Sequence, residues 1–203
     1  MKTKRSYGRR TVAGLMALSL SVAAIPLIAD QGAAPTRQRA DDAAGFKEFS
    51  ANVKAYLELR KKVESDLPAM KPTDLPEMIA ASQQVLARKL REARPHAEAG
   101  DVFTSDAREA FRRASGSALA GPRSADSRAY MRPGRPNPLM RLTVNGVYPD
   151  TEPNTQVPPE LLASFPPLPV EVAYRVVGRT LLLVDVKSRL IVDIARRILP
   201  PPS

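Results

Sequence analysis

Apolar residues follow three different rhythms along this chain. From Val12 to Ala29 they form an almost unbroken run, "VAGLMALSLSVAAIPLIA". From Asp42 to Ala114 they recur at helical spacing, and beyond Leu139 they gather into short dense blocks. In the second region Phe46, Phe49, Val53, Leu57 and Val63 follow one another at helix-like steps, with Tyr56, Arg60 and lysines between them. Such a stripe predicts an amphipathic helix, capped by Asp41 or Asp42, where a carboxylate meets unpaired amides, and closed by Pro68. After "KPTD" a second helix is expected: Asp74 and Glu77 stand in capping-box spacing, Pro76 falls in the first turn, and Leu75, Ile79, Leu86 and Leu90 continue an apolar stripe to pack on the first helix. Pro95 ends it and Gly100 suits a carboxyl-terminal cap. Thr104 is placed to cap a short third helix with Ala107 and Phe111 inward and Arg108, Arg112 and Arg113 in water.

The blocks near the end follow the other period. "VEVAYRVV", "RTLLLVDV" and "RLIVDIA" are rich in Val, Ile, Leu and Tyr and are divided by Gly178-Arg179 and Lys187-Ser188, so they predict an antiparallel meander. In the middle strand Leu181 and Leu183 point to one face and Leu182, Val184 and Val186 to the other, which suits a strand covered on both sides. "SRLIVDIARRIL" also fits a helical period through Leu190, Ile194 and Ile198, so 188–199 is open to either reading. Asn145-Gly146 signals a hairpin turn, and Pro159 to Phe165 a short helical turn. The fold class is α+β: an N-terminal helical hairpin with a short third helix, and a small C-terminal antiparallel meander packing on them. The domain reading is 1–29 signal peptide, 30–41 disordered, 42–114 helical, 115–138 flexible linker and 139–203 small β region. The linker, "SGSALAGPRSADSRAYMRPGRPNP", is too poor in apolar surface to offset its ordering entropy.

Charge and composition refine this picture. The 203 residues allow one modest core, and 20 prolines and 10 glycines leave much of the chain irregular. Lys2, Lys4, Arg5, Arg9 and Arg10 precede the first apolar run with no acid among them, which is a secretory leader layout. Arg9-Arg10 lacks the Phe-Leu pair of a twin-arginine signal, so the Sec route is expected, with an uncleaved anchor as the alternative. The expected location is periplasmic or secreted. With no cysteine, disulfides and thiolate metal sites are excluded. The leader carries five of the net ten positive charges, leaving 26 basic against 21 acidic residues, too mild and dispersed a balance for a nucleic-acid binder.

The C-terminal third, "VNGVYPDTEPNTQVPPELLASFPPLPVEVAYRVVGRTLLLVDVKSRLIVD" with "GDVFTSDAREAFRR" upstream, resembles a group of uncharacterised exported bacterial proteins that share a signal peptide, a helical middle and a YRxVGRxLxLxDxxxxLIVD ending. "LPPLPVEVAYRVVGRTLLLVDVKSRLIVDI" is also similar to the terminal unit of RcnB-type periplasmic proteins, implicated in nickel and cobalt homeostasis. That resemblance implies the small β unit and a periplasmic address. The chain lacks tryptophan and carries a single histidine, so metal handling does not carry over with it.

Candidate chemistry is sparse. His96, beside Pro95, reads as a solvated or capping residue and supports neither a zinc site nor a triad. Asp150, Glu152 and Asn154 in "DTEPN" read as a solvated loop rather than a calcium site. Asp101, Asp106 and Glu109 lie close in sequence, but acids in a first helical turn complement the dipole. Asp185 and Asp193, on neighbouring strands, are a candidate acidic pair, with strand-end marking or pairing to Arg175 and Arg179 as the plainer expectation. No phosphate loop or nucleophile elbow occurs. The concentrated feature is the series Arg108, Arg112, Arg113, Arg123, Arg128, Arg132, Arg135 and Arg141, of which Arg128, Arg132 and Arg135 are the candidate contacts with anionic surfaces. The expectation is a non-enzymatic exported binding or envelope-accessory protein without a cofactor. Its expected partners are anionic envelope components or another exported protein, and it meets the membrane only through an uncleaved leader or weak surface contact. The alternatives are a small carboxylate-dependent hydrolase and a nickel or cobalt stress protein.

Overall fold

Helix α1 (Ala33–Ser65) supplies one wall of the core, and its inward stripe is Phe49, Val53 and Tyr56, all buried, with Phe46 and Leu57 packed beside them. The computed structural model describes residues 33–68, 74–120, 142–148 and 157–201. The apolar leader, Arg123, Arg128, Arg132, Arg135, Arg141 and the Asp150-Glu152-Asn154 loop lie outside the described residues. The α1 helix begins eight residues before the expected Asp41 cap. Ala, Gln and Arg in this stretch are strong helix formers, and Pro35 falls in the first turn, where its missing amide has no helical partner anyway. Asp42 is therefore in mid-helix, and it pairs with Arg113 at 2.5 Å.

The second helix, α2 (Pro76–Ala93), starts from Leu75 in extended conformation with no side-chain cap, so the Asp74 capping box does not form. A residue before proline is pushed out of the helical region, which sets the boundary at Leu75. Only the C-terminal half of its stripe is used: Leu86, Ala87 and Leu90 pack with Leu59, Val63 and Leu67 from α1 and the turn after it. Leu75, Met78 and Ile79 are exposed. Helix α3 (Ser105–Ala120) is capped as expected, with Thr104 Oγ1 accepting from the Ala107 amide at 3.3 Å. It continues through Ser115 and Leu119, both buried, where a flexible linker was expected to begin. The Ala107, Phe111, Ser115, Leu119 face runs at four-residue steps, and burying it overrides the weak propensity of Ser-Gly-Ser.

The α1 and α3 helices cross closely at Gly45, where an added Cβ would stand 2.7 Å from the Asp106 carbonyl oxygen. Around this crossing all five phenylalanines of the chain gather. Phe111 is the hub, with ring centroids 4.7 Å from Phe165, 4.9 Å from Phe49, 5.1 Å from Phe46 and 5.2 Å from Phe103. Such edge-on pairs each contribute about 0.5–1.5 kcal/mol beyond area burial, so a chain poor in aromatics has placed them where they stabilise most. A short helix α4 (Pro159–Ser164) closes this core with Leu161.

The C-terminal blocks form β1 (Val172–Val177), β2 (Thr180–Asp185) and β3 (Ile191–Ala195), an antiparallel sheet in the order β1-β2-β3. The meander is as expected, and 191–195 is strand rather than helix. Leu181 and Leu183 face the helices, while Leu182 and Val184 face the other side. That other side is covered by Leu142, Val144 and Tyr148 rather than by helices. The Asn145-Gly146 turn forms, with the Gly146 amide bonded to the Thr143 carbonyl at 3.0 Å. Its neighbours pair with β3 instead of with each other: the Asn145 amide donates to the Ile191 carbonyl at 2.9 Å, and Val147 bridges Leu190. Val186 lies beyond β2 and is exposed.

A bulge interrupts the β2–β3 ladder, since Leu183 opposes Asp193 but Val184 opposes Ile191. The extra residue, Val192, shifts the alternation by one. Ile191 and Ile194 consequently share one face, and Asp193 turns toward the helical layer.

Candidate anion-binding cleft

The two buried carboxylates of the sheet, Asp185 and Asp193, are both fully buried, and both are saturated by separate sets of donors. Asp193 Oδ1 accepts from the amides of Gly100 at 2.9 Å and Ile194 at 2.6 Å, and its Oδ2 from Val102 at 2.8 Å and Phe103 at 2.7 Å. The α2–α3 loop is thereby pinned to β3. Gly100 has φ 111°, a left-handed conformation that side chains resist, and its amide is turned onto Asp193. It is a loop residue seven positions beyond the end of α2, not its cap.

Asp185 Oδ2 accepts from Arg60 Nε at 2.7 Å and from the Tyr56 hydroxyl at 3.0 Å, while its Oδ1 takes the Ser188 amide and hydroxyl, both at 2.8 Å. Arg60 continues to Glu64 at 2.7 Å, and Lys187 reaches the same carboxylate at 2.5 Å. Burial, reinforced by the Asp185 charge, holds the Tyr56 hydroxyl well above the ordinary tyrosine range. Burial opposes the Arg60 charge, but Asp185 and Glu64 outweigh it and raise the guanidinium. The Lys187 ammonium, with Arg60, lowers Glu64 against the opposing effect of partial burial. Neither acid pairs with Arg175 or Arg179, as the sequence had suggested: Arg175 donates to the Tyr174 carbonyl and Arg179 to that of Leu199. The acidic pair thus serves as two anchors, one tying β2 to α1 and the other tying β3 to the α2–α3 loop.

Unsatisfied charge collects elsewhere. A cleft of about 580 Å³ opens where the N-terminal half of α3 meets the end of the sheet. Arg108 and Arg112, four residues apart on one helical face, form one wall with Ser105 and Glu109. Arg179 in the β1–β2 turn and Arg196 and Arg197 just after β3 form the other. Among the described residues five arginines therefore face a single carboxylate, and Glu109 is already engaged by Arg112 and by Arg113 at 2.9 Å.

The second wall is held by backbone. Arg179 Nε donates to the Leu199 carbonyl at 2.8 Å, and the Ile198 amide returns to the Arg179 carbonyl at 2.9 Å. Arg197 has φ 58°, a reversal that sends Ile198 back into the core while leaving both neighbouring guanidinium groups outside. Arg196 donates to the Leu142 carbonyl, at 3.2 Å. The side chains of Arg108 and Arg197 make no ion pair or hydrogen bond among the described residues. Like charges crowded without counter-charges repel, and the potential they create is relieved by an incoming anion. By contrast, among the described residues the apolar groove of about 510 Å³ along β1 has Arg175 as its one charged lining residue.

Of the arginine series singled out in the sequence, Arg108 and Arg112 come to this cleft, Arg113 turns away to Asp42 and Glu109, and the remainder lie outside the described residues. Arg179, Arg196 and Arg197 were missed. The available signals were the Gly-Arg turn and the Arg-Arg pair directly after a strand, both of which place cations at the same end of the sheet. His96 is exposed. Among the described residues no group of three or more His, Cys, Asp or Glu side chains could hold a metal ion, and no helix is long and apolar enough to cross a membrane. Comparison of the chain with family models, curated proteins and solved structures found no match.

Proposed function

We propose that this protein is an exported, non-enzymatic envelope-accessory protein that binds anionic groups through the arginine cleft between α3 and the end of the sheet. One observation carries this reading: among the described residues, five arginines from three separate segments converge on one cleft against one carboxylate that is already paired. The basic, acid-free leader followed by an apolar run supports export. Arg128, Arg132 and Arg135 add a second, weaker basic contribution from the segment that follows α3. Outside the cytoplasm the abundant polyanions are envelope lipids and cell-wall polymers.

The test is pelleting of the full chain with phosphatidylglycerol vesicles and with envelope fractions at low and high salt. Arg108→Ala with Arg197→Ala is expected to lower retention at low salt while leaving the melting temperature unchanged, because neither side chain has a hydrogen-bond or ion-pair partner among the described residues. Replacing Arg128, Arg132 and Arg135 by Ala is expected to lower it less. Retention that is insensitive both to salt and to these substitutions would refute the proposal.

A further inference from the structure

We infer that the cleft, taken as the anion site proposed above, is built for a ligand bearing two phosphate groups, such as a bisphosphorylated sugar or lipid headgroup. The arginines stand in two banks rather than one ring. Arg108 and Arg112 project from successive turns of α3, and Arg179, whose Nε is tied to the Leu199 carbonyl, lines the sheet end with Arg196 and Arg197. A phosphate monoester offers three terminal oxygens and up to two charges where a carboxylate offers two oxygens and one charge, so it satisfies more of a bank's guanidinium donors.

Charge balance gives the same count. Among the described residues the cleft is lined by five arginines and one glutamate, a net of four positive charges. One phosphomonoester brings about −1.5 to −2 at neutral pH, so two are needed to match it. The volume of about 580 Å³ leaves room for a scaffold between the two phosphates, within the range of about 300–1,000 Å³ usual for small-ligand sites.

The experiment is calorimetric titration of the full chain at low salt with fructose 1,6-bisphosphate, glucose 6-phosphate and citrate. Citrate supplies comparable charge on carboxylates alone. The bisphosphate is expected to bind roughly tenfold or more tighter than either of the others. Arg108→Ala with Arg112→Ala, removing one bank, should reduce its affinity to that of the monophosphate, and Arg197→Gln should weaken it with the melting temperature unchanged. Competition by phosphatidylcholine vesicles carrying phosphatidylinositol 4,5-bisphosphate, whose headgroup bears two phosphomonoesters, assigns the phosphates to a lipid headgroup; tight bisphosphate binding without competition assigns them to a soluble ligand. Equal affinity for all three anions, or bisphosphate binding indifferent to loss of the α3 bank, overturns the two-phosphate inference and leaves anion binding standing. No binding of any anion, together with salt-insensitive vesicle retention, removes both.

Discussion

Replacing Asp193 by Asn keeps the shape of the side chain and changes only its hydrogen-bonding character, so it isolates what that carboxylate does. Each oxygen accepts two amide protons, at 2.6–2.9 Å. In either orientation of the new amide, one NH2 group faces two N–H donors that it cannot accept. Two buried amides lose their partner at about 1–3 kcal/mol each, and the other two bonds lose charge assistance. Steric relaxation of the loop recovers part of this, so the expected loss is about 3–5 kcal/mol, in line with disrupting a buried charged network. The assay is urea denaturation of wild type and Asp193→Asn, with amide exchange at Val102 and Phe103 to show release of the loop. A carboxylate-dependent hydrolase would behave oppositely, losing turnover with its stability intact. A denaturation free energy within about 0.5 kcal/mol of wild type would refute the anchoring argument.

Two further outcomes follow from the same geometry. Gly45→Ala raises helix propensity by about 1 kcal/mol, yet its Cβ would meet the Asp106 carbonyl oxygen at 2.7 Å. Backbone must give way, at about 1–3 kcal/mol, and the thermal midpoint should fall; a rise would show that α1 and α3 are not in close contact. Glu64 is lowered from its ordinary value of 4.5 by Lys187 and Arg60, so its stabilising contribution is present above that value and is lost as pH falls through the depressed folded one. Wild type should therefore exceed Glu64→Gln in melting temperature near neutrality and converge with it in acid, as pH falls through the depressed value; a pH-independent gap would contradict the ion pairs.

Much of the architecture was legible because it rests on local periodicity. The stripe of α1, the Thr104 cap and the three strands are each written in consecutive residues, and burial only ratified them. The features that escaped depend on partners distant in sequence. Leu119 is helical because the core that α3 shares with α1 and α4 receives it, although Ser-Gly-Ser before it predicts looseness. The β3 bulge at Val192 reverses the alternation, so a period of two assigns Asp193 to the wrong face. The amides of the α2–α3 loop then find it across about ninety residues. The cleft was half legible: Arg108 and Arg112 share a helical face by spacing alone, whereas their approach to Arg179 and Arg197 requires the strand order and the C-terminal reversal.

The central claim is that anions bind at this cleft, and its most direct measurement is vesicle affinity against ionic strength for wild type and the Arg108→Ala, Arg197→Ala pair. Between about 0.05 and 0.5 M salt the screening length shortens several-fold. The wild-type affinity for phosphatidylglycerol vesicles should fall steeply over this range, and the double variant should start lower and fall less. Superimposable curves for the two folded proteins would contradict the assignment of the site.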